Sequence, residues 1–238
     1  MNLILTMAGR YSRFVNEGYR IPKYLLPWGN KPILSEILYE LNKDGMFKNV
    51  FLIANKRDEI YMPHVKDILK SLNIPIENLF LISDTDGQAE TAFQAIENIQ
   101  NKFNEIEGPI VFHNIDTILY NRNFSNLHGL LISNDGYIDV FKSSNHNYSY
   151  VLIEDGKVQS IVEKMVISDK ATSGLYGFSS VEVFYEFYSK DVLYISDLYQ
   201  KMIKNGSKIV ISEMHYEKDT IVLGTPSEYL TSAYILDL

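Results

Sequence analysis

The chain of 238 residues contains no cysteine, one tryptophan and more acidic than basic residues, 30 against 22. The missing cysteine excludes disulfides, thiolate metal ligands and a cysteine nucleophile. The formal net charge of −8 argues against nucleic acid as a partner. No apolar run approaches the roughly 18–20 residues that span a membrane, and no basic segment precedes an apolar stretch at the N-terminus. We therefore expect a cytoplasmic protein without a membrane partner.

The composition that remains is that of an ordinary globular protein. Its length is sufficient for a sizeable core, and no linker, repeat or low-complexity stretch divides it. We predict a single domain over residues 1–238, with a change of pattern near residues 120–135. The 17 tyrosines and 12 phenylalanines can fill the core or, equally, supply a homodimer face.

The first half of the chain alternates between short apolar runs and helical spacing. Strands are predicted over Leu3–Leu5, Asn49–Ala54, Asn78–Ser83 and Pro109–Asn114, and helices over Ile33–Asn42, Asp58–Leu72 and Ala89–Asn101. This order favours the α/β class with a doubly wound, mostly parallel, Rossmann-like sheet. Ligands of such sheets gather at the carboxyl ends of the strands, so we expect the site after Leu5, Ser83 and Asn114.

The second half is richer in strands. They are predicted over Gly136–Lys142, Tyr148–Ile153, Lys157–Glu163, Gly174–Phe178, Lys208–Ser212 and Thr220–Leu223. Asp155-Gly156 is a hairpin signal between two of them. Helices are predicted over Ser180–Tyr188, Ile195–Asn205 and Pro226–Leu236. We expect a C-terminal β-rich part within the same compact body.

A glycine-containing polar segment follows the first strand. Its residues are Met7, Ala8, Gly9, Arg10, Tyr11, Ser12 and Arg13, and Pro22-Lys23 follow it. Backbone N–H groups after the glycine can face an anion, and Arg13 and Lys23 can supply positive charge. Spacing alone leaves an ordinary β-α loop with two surface cations as an equal alternative.

A second polar segment follows the third strand and contains Gly87, Gln88 and Thr91. The Gln88 amide can read a nucleobase edge, and Gly87 permits close approach. Taken alone, the segment fits a helix N-cap with an acidic first turn somewhat better.

Asn114 and Asp116 lie at the end of the fourth strand. A carboxylate in that position is well placed to hold Mg²⁺ between phosphates, although it can also simply cap the next turn. We interpret the neighbouring His113 as a partly buried histidine and not as a metal ligand.

Residues 3–34 resemble the signature of the sugar-phosphate nucleotidyltransferases, the nucleoside-diphosphate-sugar pyrophosphorylase family. That signature is a Leu-Ala-Ala-Gly-x-Gly-Thr/Ser-Arg loop, a Pro-Lys pair and a Gly-Lys-Pro turn. The matching residues are Ala8-Gly9, Ser12-Arg13, Pro22-Lys23 and Lys31-Pro32, whereas Tyr11 replaces the second glycine of the loop. The resemblance extends over nearly the whole chain, implies a GT-A-like nucleotidyltransferase fold, and is closest to the compact cytidylyltransferase-like branch.

The resemblance implies that an NTP, with CTP favoured, reacts with a phosphorylated acceptor to give an NDP-linked product and pyrophosphate. Residues 1–120 would bind the nucleotide and residues 121–238 the acceptor. The implied catalytic residues are Arg13, Lys23 and Asp116, the last holding Mg²⁺. The implied acceptor-binding residues are Glu163, Lys164 and Gly174. The acceptor can be a phosphorylated sugar, polyol or choline, and the implied context is capsule or other cell-surface polysaccharide synthesis.

One departure from the family pattern affects the metal site. Val222 stands where family members often carry an acidic residue. Either Asp219 or Glu217 substitutes for it from the preceding strand end, or Asp116 and phosphates hold the metal with water filling its shell.

Two rival functions remain. A GT-A-type glycosyltransferase would release an NDP and would carry Asp-x-Asp in place of Asn114-Ile115-Asp116. A catalytically weak nucleotide-binding protein is favoured by Tyr11 and Val222.

Overall fold

A computed structural model describes residues 1–236, with side chains up to Ala233. Its helices are α1 (Ser12–Asn16), α2 (Ile33–Asn42), α3 (Met62–Ser71), α4 (Gln88–Phe103), α5 (Leu127–Ser133), α6 (Val181–Phe187), α7 (Ile195–Lys204) and α8 (Pro226–Leu236). In this part of the chain, none of the helices has the length and apolar character needed to cross a membrane.

The strands in the first half are β1 (Asn2–Met7), β2 (Pro27–Trp28), β3 (Lys31–Pro32), β4 (Asn49–Asn55), β5 (Leu79–Ile82), β6 (Ile110–Asn114) and β7 (Thr117–Leu119). The second half adds β8 (Gly136–Lys142), β9 (Tyr150–Glu154), β10 (Lys157–Val162), β11 (Lys170–Phe178), β12 (Ile209–Ile211) and β13 (Thr220–Val222).

A nine-stranded sheet runs through both halves of the chain in the order β10-β9-β11-β6-β1-β4-β5, with β8 beside β11 and β12 beside β8. Strands β6, β1, β4 and β5 are mutually parallel. Strand β11 pairs antiparallel with β6 and joins the second half to this parallel centre. The predicted α/β class with a mostly parallel, Rossmann-like sheet is confirmed, and the β-rich C-terminal part extends the same sheet.

The alternation of side chains along β1 divides the core between the two faces of the sheet. Leu3 and Leu5 pack with α2 and α3 on one face, whereas Ile4 packs with α4, α6 and α7 on the other. All six residues of β1 are buried. Since helices cover both faces, the open polar space is left at the strand ends.

Five short elements were not predicted: α1, β2, β3, β7 and α5. Helix α1 has only five residues, and β7 has three. Strand β7 pairs antiparallel with β13, bringing Thr117 opposite Val222. Because β7 directly follows β6 and α8 directly follows β13, this pairing places the start of α8 near the end of β6. The predicted helix over Asp58–Leu72 is a separate helical turn, Lys56–Tyr61, followed by α3 with Pro63 in its first turn.

Candidate active site

A cavity of about 660 Å³ opens at the carboxyl ends of β1 and β6. Its volume falls within the ~300–1,000 Å³ typical of small-molecule sites. It brings together nearly all the predicted site residues, from the glycine-containing loop to the Glu163-Lys164 pair. Among the predicted loop residues, Ser12 alone is absent from its lining.

The loop between β1 and α1 forms one end of the cavity. A Cβ added at Gly9 would meet nothing within 4 Å, so open space lies before this backbone. The residue of this loop with a left-handed backbone conformation is Tyr11, with φ 37° and ψ 36°. The exposed side chain of Arg13 also faces the cavity. The loop therefore keeps a glycine-like conformation although a tyrosine occupies the position.

Lys23 and Asp116 form an ion pair in the middle of the cavity. Lys23 Nζ lies 2.6 Å from Asp116 Oδ2, with 13% and 28% of the two side chains exposed. Burial acts to raise the pKa of Asp116, but the charge and hydrogen bond of Lys23 outweigh it and hold that pKa below the ordinary value. Asp116 is therefore a carboxylate at neutral pH, and it is paired with the Lys23 ammonium.

A second carboxylate, Glu228 in the first turn of α8, lies near Gly224 as Asp116 does. It was not identified from the sequence. A Cβ at Gly224 would lie 3.4 Å from Glu228 Oε2 and 3.6 Å from Asp116 Oδ2. Thr225 Oγ1 donates to Glu228 Oε2 at 3.0 Å and accepts from the Glu228 N–H at 3.1 Å. The Thr-Pro-Ser-Glu spacing is a capping signal, which conceals the position of this carboxylate beside Asp116.

Asp219 and Glu217 lie outside the cavity. Asp219 Oδ1 accepts a hydrogen bond from Asn121 Nδ2 at 2.7 Å, and Glu217 Oε1 accepts one from Ser143 Oγ at 2.8 Å. Neither carboxylate is directed at Asp116. Within residues 1–236, no group of three or more His, Cys, Asp or Glu side chains is arranged to hold a metal ion.

His113 is wholly buried, not partly buried as the sequence suggested. Its Nε2 donates to the Thr117 carbonyl at 2.8 Å. Burial lowers the pKa of this imidazole, so the ring is neutral at neutral pH. It is absent from the cavity lining, which agrees with the interpretation that it is not a ligand.

The segment that opens α4 is held by contacts within the protein. Gln88 Nε2 donates to Asn114 Oδ1, and Gln88 Oε1 accepts from the Ile195 N–H at 3.2 Å. A Cβ at Gly87 would collide with the backbone of Leu193, so this glycine serves a close approach between two chain segments. Gln88 therefore couples the end of β6 to the start of α7.

Thr91 is also held by contacts within the protein, since its Oγ1 lies 2.7 Å from Thr85 Oγ1. The exposed carboxylates at this end of the cavity are Asp84 and Asp86. Asp84 forms ion pairs with Arg57 at 2.9 Å and Arg10 at 3.4 Å.

The other end of the cavity contains Glu163 and Lys164. Glu163 Oε2 accepts hydrogen bonds from Ser149 Oγ and, at 3.1 Å, from Ser196 Oγ. Lys164 Nζ lies 3.2 Å from Tyr194 Oη and 5.0 Å above the ring of that tyrosine. This cation is half exposed and directed toward the cavity.

Strand β11 forms the floor between the two ends. Gly174 has a φ of +87°, and an added Cβ would lie 2.6 Å from Asn114 Nδ2. Both the conformation and the space require glycine here. The same strand also contributes the hydroxyl-bearing side chains of Thr172, Ser173 and Tyr176 to the cavity lining.

The arrangement is suited to moving a phosphoryl-type group between two anions. Its lining includes the cations Arg13 and Lys164, together with Lys23 and the two carboxylates Asp116 and Glu228. Such a site acts by positioning substrates and neutralising charge and needs no covalent nucleophile.

Comparisons with known proteins agree with this geometry. A nucleoside-diphosphate-sugar pyrophosphorylase from Vibrio cholerae RC9 is 27% identical, with a TM-score of 0.83 over 98% of this chain and 100% of that one. The inositol-1-phosphate CTP transferase from T. maritima has the same fold, with a TM-score of 0.77 over 99% of this chain and 94% of that one at 13% identity.

A bifunctional protein GlmU from Methanococcus aeolicus is 27% identical over 181 residues, and the match covers 76% of this chain but only 40% of that protein. The model of the nucleotidyl transferase family matches residues 2–234. The resemblance found in the sequence is therefore confirmed: the chain belongs to the nucleotidyl transferase family.

Proposed function

We propose that the chain transfers a nucleotidyl group from an NTP, with CTP favoured, to a phosphorylated sugar or small phospho-metabolite. The observation that carries this proposal is one continuous cavity lined both by the Arg13 loop and by Lys164, which belong to different halves of the chain. Cations in one cavity can attract two anionic substrates into the same space. The context proposed from the sequence is capsule or other cell-surface polysaccharide synthesis in the cytoplasm.

In the proposed reaction, an oxygen of the acceptor phosphate attacks the α-phosphorus in line. A new P–O bond forms as the bond between the α-phosphorus and the bridging oxygen breaks, and the electron pair leaves with pyrophosphate. Arg13 and the loop amides hold the β- and γ-phosphates, where negative charge develops. Lys23 contacts the α-phosphate, while Lys164 anchors the acceptor phosphate and Glu163 accepts from a hydroxyl.

Magnesium fits the donors in the middle of the cavity. Asp116 and Glu228 are both hard oxygen ligands beside Gly224, and the Lys23 ammonium already occupies the place of a cation on Asp116. We propose that these two carboxylates hold Mg²⁺, with phosphate oxygens and water completing its shell. When bound, the ion neutralises charge on the phosphates.

Glu228→Gln tests this assignment. In the presence of an NTP, we expect this variant to bind Mn²⁺, used in place of Mg²⁺, roughly tenfold more weakly than the wild type does. The reason is that one anionic ligand becomes neutral while the side-chain shape remains. Electron paramagnetic resonance measures free Mn²⁺ directly and needs no turnover. Glu217→Gln is the matched control outside the cavity, and equal Mn²⁺ binding by the two variants would exclude Glu228 as a ligand.

The groups at the nucleotide end support a base with an exocyclic amine. Asp84 and Asp86 carry acceptors only, and an amine such as that of cytosine can donate to them. At the other end, Ser149, Thr172 and Ser173 offer hydroxyl partners to a polyhydroxylated acceptor. These features are consistent with CTP and disfavour UTP, whose base has no exocyclic amine, and they favour a sugar or polyol phosphate as acceptor.

A thermal-shift screen of CTP, UTP, ATP and GTP with Mg²⁺ tests the nucleotide assignment. At 100 times its Kd, a ligand stabilises by about 2.7 kcal/mol. For a domain of this size that raises Tm by roughly 5–10 °C. We expect the largest shift with CTP, reduced when Mg²⁺ is omitted. A flat response to all four nucleotides would contradict the proposed function.

A further inference from the structure

Tyr11, in the loop proposed to bind phosphate, combines a left-handed backbone with a hydrogen bond to a buried carboxylate. Its backbone lies in the left-handed region, at φ 37° and ψ 36°, which disfavours residues with a Cβ. Its hydroxyl donates to Asp58 Oδ1 at 2.6 Å, and the Asp58 side chain is completely buried. The ring is thereby fixed beside the loop, and the Gly9 backbone remains open to the cavity.

Asp58 also holds the other cationic segment. The hydroxyl of Tyr24, which is 1% exposed, donates to Asp58 Oδ2 at 3.0 Å. Tyr24 directly follows Lys23, whose Nζ lies on Asp116. One buried carboxylate thus accepts from a residue of the Arg13 loop with one oxygen and from the neighbour of Lys23 with the other.

The residue before Asp58 holds the start of the same loop. Arg57 Nη2 donates to the Ala8 carbonyl at 2.8 Å, and the same guanidinium forms an ion pair with Asp84 at 2.9 Å. Both residues belong to the helical turn Lys56–Tyr61, which directly follows β4. Ala8 and Tyr11, which flank Gly9, are therefore both hydrogen-bonded to the helical turn Lys56–Tyr61.

We propose that Arg57 and Asp58 form a brace that holds the phosphate loop and the Lys23 segment in their binding positions before nucleotide arrives. Tyr11 links the loop to this brace. These are positioning residues, since Asp58 is buried behind the loop and acts through Tyr11 and Tyr24. A loop ordered in advance loses less conformational freedom on binding, so affinity for the phosphates rises. The inference rests on the proposed function, in which the ligand of this loop is a polyphosphate.

Tyr11→Phe removes only the hydroxyl and is the first test. Inorganic pyrophosphate with Mg²⁺ is the probe, because it represents the β- and γ-phosphates whatever the base. We expect its calorimetric Kd to rise about tenfold, which corresponds to about 1.4 kcal/mol. In turnover, the KM for the NTP should rise while the KM for the acceptor stays unchanged. Tyr185→Phe is the matched control, since it removes a tyrosine–carboxylate bond to Glu97 outside the cavity.

Tyr11→Gly separates the brace from simple relief of backbone strain. Glycine adopts the left-handed conformation freely but cannot reach Asp58. We expect this variant to bind pyrophosphate as weakly as Tyr11→Phe. Wild-type affinity in Tyr11→Gly would overturn the proposal, because the link to Asp58 would then be dispensable.

Hydrogen exchange of the loop amides in the free protein gives a readout that needs no ligand. We expect faster exchange over residues 8–13 in Tyr11→Phe and no change in Tyr185→Phe. Unchanged exchange in Tyr11→Phe would overturn the brace even if pyrophosphate binding weakened. If wild-type protein bound no pyrophosphate, the proposed function would fail, and the exchange experiment would still decide whether the brace exists.

Discussion

Asp116→Asn is expected to abolish pyrophosphate release, with a fall in kcat/KM of at least roughly 10²–10³-fold. The substitution keeps the size of the side chain and an oxygen that can accept from Lys23. It removes the negative charge that, in the proposed site, attracts the metal ion. The cavity lets water reach this ion pair, so the free energy of unfolding should change by no more than about 2 kcal/mol.

A coupled pyrophosphate assay over a range of NTP concentrations gives kcat/KM, and thermal unfolding monitors stability. Asp67→Asn is the matched control, because it breaks an exposed pair with Lys70 and changes the net charge equally. Full activity in Asp116→Asn would exclude Asp116 from the reaction.

Lys23→Met is expected to lower kcat/KM by roughly 10²-fold and to change its pH dependence. Methionine keeps much of the side-chain volume but removes the cation proposed to contact the α-phosphate. It also removes the charge that opposes burial at Asp116, so the pKa of that carboxyl rises. Activity requires the ionised form. As the pH falls, the variant should therefore lose activity at a higher pH than the wild type does.

The pH profile of kcat/KM checks this second effect separately from the loss of rate. Lys70→Met serves as the control, since it removes a lysine from an exposed pair outside the cavity. An acidic limb at the same pH in Lys23→Met and in the wild type would show that Lys23 does not set the ionisation of Asp116.

The parallel centre of the fold was readable in the sequence because its strands are short and apolar and its helices strongly periodic. The same alternation placed the site at the ends of β1 and β6, where the structure has Gly9 and Asp116. Glu228 was not readable, because its approach to Asp116 depends on the three-residue pairing of β7 with β13. Strand β13 was predicted, but β7 and its pairing with β13 were not.

The contacts of Gln88 and Tyr11 were also beyond sequence reasoning. From local sequence, a glutamine next to a glycine suggests a side chain that recognises a nucleobase. The structure shows that the Gln88 side chain instead accepts from the N–H of Ile195, 107 positions away, which local sequence cannot reveal. Likewise, Tyr11 in place of a glycine suggests a loop that closes less tightly on phosphates. The structure shows instead that its hydroxyl donates to Asp58. Local spacing indicates which groups are present, whereas long-range packing decides which of them are free.

Product analysis separates nucleotidyl transfer from sugar transfer most directly. CTP, or the NTP with the largest thermal shift, is labelled at the γ-phosphate and incubated with Mg²⁺ and a sugar phosphate, a polyol phosphate or phosphocholine. We expect the label in pyrophosphate, released only when an acceptor phosphate is present, and an α-phosphate label in the NDP-linked product. Release of an NDP from an NDP-sugar, with no pyrophosphate from any of the four NTPs, would contradict the proposed reaction.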